Sequence, residues 1–249
     1  MDDSPLKVKL RDGTETEYKD ITDPVFKEIF RRCAPFTITA NTGAHVPYAL
    51  YKAVEYVVEH DIPGDFVECG VWAGGSCLLA AISFRIFGDT SRSLYMYDTF
   101  DGMPEPSEND MDWDGNPAWA AWKAHRDSGK RWGFGGALAV VKATVGSSEY
   151  PDDQLIYIEG MVEDTIPEVA PKEISILRLD TDLYESTRHE LEHLYPRLSV
   201  GGVLIIDDYG YFKGAREAVD EFLAISGAKL LLHRVDASVR VAVKVEATT

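Results

Sequence analysis

The sequence predicts an α/β fold: a doubly wound, mostly parallel seven-stranded sheet, closed by a C-terminal antiparallel hairpin and carrying an inserted lid. Three observations predict it. Short apolar runs alternate with helical patterns along most of the chain. Nearly every run ends on an acid, as strands do when their carboxyl ends face a ligand crevice. The run Asp65-Phe66-Val67-Glu68-Cys69 passes through the small-residue cluster Gly70 to Ser76 into Cys77-Leu78-Leu79-Ala80-Ala81-Ile82, the strand, turn and helix layout of a cofactor site.

Composition bounds the partners. At 249 residues and 45% apolar, the chain fits one decorated domain with an ample core. Its net charge of −17 argues against nucleic acid or an anionic membrane, which need a basic footprint, and leaves room for a cation or a cationic cofactor. The three cysteines, Cys33, Cys69 and Cys77, lie at no metal-ligand spacing, and their odd number suits a reducing compartment. Met1-Asp2-Asp3-Ser4-Pro5 is no signal peptide and no stretch reaches membrane-spanning length, so a cytoplasmic protein is expected.

Taken in order, residues 1–36 read as a charged arm with a short helix around Val25, Phe26, Ile29 and Phe30. Leu50, Val54, Val57 and Val58 recur at helical spacing, and Ile62-Pro63-Gly64 ends that helix. After the first strand and its helix, Ser93 to Asp98 is the second strand. Its terminal Asp98 is placed either to accept hydrogen bonds from a ribose or simply to start a turn. A long polar stretch then runs from about 101 to 136 with four of the five tryptophans, Trp113, Trp119, Trp122 and Trp132. Connections this long are often lids, and Trp suits a ring-bearing substrate; an oligomer contact or a self-packed helical insert is the plainer reading. Ala137 to Val145 reads as a helix, Gln154 to Ile158 as the third strand and Ile174 to Asp180 as the fourth. A helix follows to Leu194 and stops at Pro196; Gly201 to Asp208 is the fifth strand. Ala215 to Ala224 is helical, burying Ala218, Val219 and Phe222, and Lys229 to His233 with Val239 to Val245 form the closing hairpin.

Glu68, Asp98, Asp180 with Asp182, and Asp207 with Asp208 therefore gather at one edge of the sheet, where they raise one another's pKa. Two kinds of ligand relieve that repulsion: a divalent cation on Asp180, Asp207 and Asp208, and a cofactor with hydroxyls or positive charge on Glu68 and Asp98. All-oxygen ligation suits Mg²⁺, with Mn²⁺ or Ca²⁺ possible, and argues against zinc. Each acid has a plainer role as well, Asp182 as a helix N-cap and Asp207 and Asp208 as turn residues before Gly210. His189-Glu190-Leu191-Glu192-His193 satisfies the zinc-protease helix pattern, but the helix ends three residues on without an obvious third ligand. Its histidines are expected on a solvated flank. The turn Glu68-x-Gly70-x-x-x-Gly74-Gly75 is neither a dinucleotide fingerprint nor a Walker A loop.

Five stretches in order carry a resemblance: Tyr48 to Val54, Gly64 to Trp72, Tyr97 to Pro104, Leu179 to Thr187 and Gly201 to Gly210. Across about Thr37 to Lys244 the chain resembles the class I S-adenosylmethionine-dependent methyltransferases, whose sheet is Rossmann-like, and within them the macrocin O-methyltransferase group (TylF/MycF/NovP). That resemblance implies an arm over 1–36, a methyltransferase domain over 37–249 and Mg²⁺-dependent methylation of a sugar hydroxyl, on a glycosylated natural product or on a surface polysaccharide. It implies that Glu68, Gly70 and Ser76 hold the methionine part of S-adenosylmethionine, that Asp98 binds its ribose, and that Gly160, Val162 and Glu163 line its adenine. Thr39, Cys69, Thr99 and Asp180 complete the cofactor contacts it implies. Asp180, Asp207 and Asp208 would hold the ion, and Asp182 would be the general base. Where the family often has an aromatic residue after the glycine matching Gly160, this chain has Met161. A small-molecule glycoside substrate and a homo-oligomer, dimer or tetramer, are also implied. The rivals are a nicotinamide-dependent sugar oxidoreductase, which lacks its glycine fingerprint here, and a non-catalytic cofactor-binding scaffold, which has no use for the acid set.

Overall fold

The structure, a computed structural model, describes residues 5–10, 12–38 and 43–247. Nine strands and eight α-helices are found among them: β1 (Leu6–Lys9), β2 (Glu15–Tyr18), α1 (Pro24–Cys33), α2 (His45–Glu59), β3 (Asp65–Cys69), α3 (Gly75–Ile86), β4 (Leu94–Asp98), α4 (Ala118–Asp127), α5 (Leu138–Gly146), β5 (Leu155–Glu159), α6 (Val162–Thr165), β6 (Ile174–Leu179), α7 (Tyr184–Leu194), β7 (Leu198–Ile206), α8 (Lys213–Ser226), β8 (His233–Arg234) and β9 (Arg240–Val243).

Seven strands form the main sheet in the order β5-β4-β3-β6-β7-β9-β8. The first five are parallel, and β9 and β8 pair antiparallel beyond β7. The chain moves outward from β3 through β4 to β5, then returns to the other side of β3 with β6. The carboxyl ends of β3 and β6 thus flank the topological switch point, where open α/β sheets bind ligands.

Alternation along each strand divides the core. Phe66, Met96, Ile176, Val203 and Ile205 face the layer of α1, α2, α3 and α5; Val67, Tyr97, Leu177, Leu204 and Ile206 face the layer of α7 and α8. The N-terminal hairpin of β1 and β2 adds Leu6, Val8 and Tyr18 to the first layer, so the expected arm is packed onto the same core. Asp23 fixes its junction with the sheet domain. One carboxylate oxygen caps α1 at the Val25 and Phe26 amides, Pro24 occupies the first turn, and the other oxygen accepts from the Tyr51 hydroxyl of α2 at 2.8 Å.

The closing hairpin is shorter than its sequence suggests. Only His233 and Arg234 pair with β9, whereas Leu231 lies 85% exposed. This run lies at the outer edge of the sheet, where Leu230 and Leu232 pack against the core while Leu231 points to solvent. The stretch from 101 to 136 is not structureless, since it contains α4 and packs Ala118 and Trp132 against Phe212 and Ala215.

Candidate active site

Strand register assembles the acids. Glu68 of β3 lies opposite Arg178 of β6, and Arg178 lies opposite Ile205 of β7. Side chains two residues apart share a face, so Asp180 and Asp207 fall on the same side as Arg178. The Arg178 guanidinium is almost fully buried and stands between them. Its Nη1 donates to Glu68 Oε1 and to Asp180 Oδ2, each at 2.6 Å, and its Nη2 lies 3.0 Å from Asp207 Oδ2. Cys77 of α3 donates its thiol to the other Glu68 oxygen at 2.7 Å. Burial pushes Glu68 upward and Arg178 opposes that shift. Sequence reasoning had sought relief for these acids only in ligands; a large part comes from within. The signal for Arg178 is a lone cation in the strand Ile174–Leu179, apolar but for Ser175, two residues before an acid.

One guanidinium does not neutralise the cluster. Single oxygens of Asp180, Asp207 and Asp208 all lie within 4.8 Å of one another. Asp207 Oδ1 and Asp208 Oδ2 are buried without a hydrogen-bond partner. Burial and the neighbouring carboxylates hold Asp180 and Asp208 well above the usual carboxylate range. Orphaned acceptors on converging hard-oxygen donors fit a small divalent cation. Asp182 is beside Asp208; burial and the Asp180 charge raise it to about 7. It adopts a left-handed φ of +67°, rare outside glycine, and it does not cap α7. That task belongs to Asp110 of the insert, whose Oδ1 accepts from the Tyr184 amide at 2.8 Å. The plainer capping role for Asp182 is thereby taken by another residue.

A cavity of about 730 Å³ opens over these strand ends, lined by Glu68, Gly70, Ser76, Asp98, Thr99, Gly160, Val162, Glu163, Asp180, Asp182, Asp207 and Asp208. Asp98 accepts the Val71 and Trp72 amides on Oδ2 at 2.8 and 3.0 Å and the Phe100 amide on Oδ1 at 2.7 Å. It therefore shapes both turns above the sheet and keeps one of about four acceptor positions for a ligand. Thr99 binds within its own turn, its hydroxyl donating to the Gly102 carbonyl. Gly70 is required by the protein's own backbone. At φ +83°, a Cβ there would lie 1.9 Å from the Asp180 carbonyl oxygen. Glu163 Oε2 is buried and unpaired beside the cavity. Cys69 is not brought to the cavity, because its alternation turns it to the α7 face, where only its carbonyl serves the site by accepting the Asp180 amide at 2.8 Å. Thr39 lies outside the described residues.

Trp132, Met103 and Pro104 from the insert form part of the cavity wall with Trp72, Tyr211 and Phe212. Trp113 and Trp119 are exposed instead, and Trp122 stacks under Arg126 at 4.5 Å. The Trp-rich insert thus walls part of the cavity and packs as a small helical unit, and only one of its tryptophans faces the cavity. The Met111 carbonyl accepts the Lys213 amide at 2.8 Å, which ties the insert to the start of α8.

The His-Glu-x-x-His helix gathers no metal site among the described residues. His189 reaches the Ile166 carbonyl at 2.9 Å and stacks near His193, both half-buried. Glu190 between them is fully buried and accepts from the Thr181 hydroxyl at 3.0 Å, so this acid braces the Asp180-Thr181-Asp182 turn from behind. Burial holds it well above the usual carboxylate range, opposed by the Thr181 hydroxyl.

Known proteins share sequence and fold with this chain. The chain is 36% identical over 187 residues to the 8-demethyl-8-(2,3-dimethoxy-alpha-L-rhamnosyl)-tetracenomycin-C 4'-O-methyltransferase of Streptomyces olivaceus, covering 75% of this chain and 68% of that protein. It is 35% identical over 177 residues to the demethyldecarbamoylnovobiocin O-methyltransferase of Streptomyces niveus, covering 70% of this chain and 63% of that one. The solved structure of the O-methyltransferase NovP superposes with a TM-score of 0.73 at 29% identity, covering 85% of this chain and 83% of that chain. With residues 32–242 matching the family as well, this chain belongs to the macrocin O-methyltransferase (TylF) family.

Proposed function

We propose that the protein methylates a hydroxyl of a sugar on a small glycosylated molecule, using S-adenosylmethionine and Mg²⁺. The observation that carries this reading is the convergence of Asp180, Asp207 and Asp208 beside Asp182, on the floor of the cavity that also holds Glu68, Asp98 and Gly160. The relatives' names support the acceptor class, one of them acting on a rhamnosyl group. When bound, the cofactor supplies an electrophilic methyl group on a sulfonium, and the ion lowers the pKa of a hydroxyl held beside it.

The chain's own groups do the positioning. Asp98 would offer its remaining acceptor to the ribose, Gly160 to Glu163 would line the adenine, and Ser76 with Glu68 and Gly70 would receive the methionine end. Asp180, Asp207 and Asp208 would hold the ion, each offering a carboxylate oxygen to the same point. Asp182, beside the acid cluster, would accept the proton of the hydroxyl that takes the methyl group. Trp132, Trp72 and Phe212 supply flat apolar walls for the sugar ring and exclude water. The acidic mouth suits a cationic donor.

Chelation tests the reading directly. With a rhamnosylated acceptor, EDTA should abolish methyl transfer and added Mg²⁺ should restore it, whereas turnover indifferent to chelation would remove the ion from the mechanism.

A further inference from the structure

Five acids meet at the strand ends, but their oxygens are not equally available. Arg178 spends its Nη1 on hydrogen bonds to Glu68 Oε1 and Asp180 Oδ2, while its Nη2 makes no hydrogen bond and faces Asp207 Oδ2 as an ion pair at 3.0 Å. Each of these aspartates therefore faces the guanidinium with one oxygen and keeps the other. On Asp207, which is 7% exposed, the remaining Oδ1 is buried and has no partner. Asp208 likewise keeps Oδ2 unpaired.

We infer that Arg178 is a positioning residue that selects the cation, by restricting Asp180 and Asp207 to one ligating oxygen each. This rests on the metal role proposed above and adds to it the basis for choosing among ions. Ca²⁺ favours six to eight oxygens at about 2.3–2.6 Å and often takes both oxygens of a carboxylate. Mg²⁺ takes six at about 2.0–2.1 Å in near-octahedral geometry, uses carboxylates singly and keeps several waters. A carboxylate whose second oxygen is pinned to a buried guanidinium cannot swing to chelate without breaking that ion pair. Arg178 is itself hard to displace. It sits in the middle of β6, opposite Glu68, and Glu68 is held from its far side by Cys77. The clamp thus runs from α3 through two strands to the acids, and it disfavours Ca²⁺ relative to Mg²⁺ or Mn²⁺.

The test compares affinities of the full chain for Mg²⁺, Mn²⁺ and Ca²⁺ by calorimetry, without acceptor, in wild type and Arg178→Lys. Lysine keeps the charge but cannot hold two carboxylates in a planar fork. The expected result is that Arg178→Lys improves Ca²⁺ affinity relative to Mg²⁺ by at least about tenfold, a ratio that general loss of folded protein would not move. An unchanged ratio would overturn the inference. Should Arg178→Lys fail to fold, wild-type crystals grown with Ca²⁺ decide the matter. Asp180 and Asp207 each ligating through one oxygen supports it, and bidentate ligation by either sinks it while leaving the metal role standing. If wild type binds none of the three ions, the metal role itself falls and takes this inference with it.

Discussion

Asp182 combines three properties that seldom coincide by chance. Its φ is +67°, its carboxyl is raised to about 7 by burial and by Asp180, and capping of the next helix is done by Asp110. A strained, proton-poised carboxyl freed from structural duty is suited to general-base work. Asp182→Asn should retain cofactor binding by calorimetry and lower turnover by about 10²–10⁴-fold. In wild type, kcat/KM should rise with pH as Asp182 loses its proton, on a limb near 7 that moves to lower pH when a divalent cation saturates the site. A pH profile identical in Asp182→Asn would assign that limb elsewhere. At this scale the sequence was most legible where residue type carries the chemistry: Asp180, Asp207 and Asp208 stood out because acids are costly at strand ends. Arg178 is visible locally as a lone cation in its strand, but its partners follow only from the register of β3 against β6. Glu190 is not legible, because the face of α7 that meets Cys69 is not written in local pattern. Glu190 stands within a zinc-protease pattern whose histidines are expected on a solvated flank; they are instead half-buried, with His189 at the Ile166 carbonyl.

The elements beneath the site were read closely from periodicity. The five parallel strands and helices α2, α3, α5, α7 and α8 lie where apolar spacing put them, because each buries a continuous face. The weak points were elements held by long-range contact alone. The Lys229–His233 run had strand composition but lies on the outer edge, where pairing shrank to two residues. In the insert, tryptophan content suggested a substrate surface, yet only the packing of Trp132 against Phe212 decided which tryptophan faces the cavity. Asp110 anchors that insert. It is buried, accepts from Ser107 and from Tyr184 of α7, and sits against Gly214 of α8. Asp110→Ala should therefore cost about 1 kcal/mol as a lost cap, seen as a melting temperature lower by roughly 2–4 °C. It should also raise the acceptor KM more than the cofactor Kd. Equal effects on both would mean that the insert serves the whole cavity rather than the acceptor side.

For the whole molecule, the strand-end acids link stability to pH. Glu68, Asp180, Asp182, Asp208 and Glu190 are all raised in the fold relative to their ordinary values. A raised carboxyl favours the folded state while protonated, and that contribution is lost as pH climbs from the ordinary range, near 4, through the folded value, about 7 for Asp182. Cation-free protein should thus melt at lower temperature at pH 8 than at pH 6. A ligand bound only by the folded state raises stability by mass action, so Mg²⁺ should add more at pH 8, where the acids are ionised and bind it best. Differential scanning fluorimetry at the two pH values, with and without Mg²⁺, checks the sign; a larger Mg²⁺ effect at pH 6 would contradict it. No helix among the described residues is long and apolar enough to cross a membrane.

The main-chain ladder does not stop at the strand ends. Gly70, Asp180, Gly160 and Asp207 each donate their amide to the neighbouring strand's last residues, Tyr97, Cys69, Asp98 and Leu179. The floor is therefore knitted into the central sheet, whereas the roof hangs from a few ties at Asp110 and Met111. Exchanging the roof for that of a relative should retune acceptor preference and leave the methyl-donor seat intact, which makes the 101–136 segment the natural unit for building enzymes with new sugar targets.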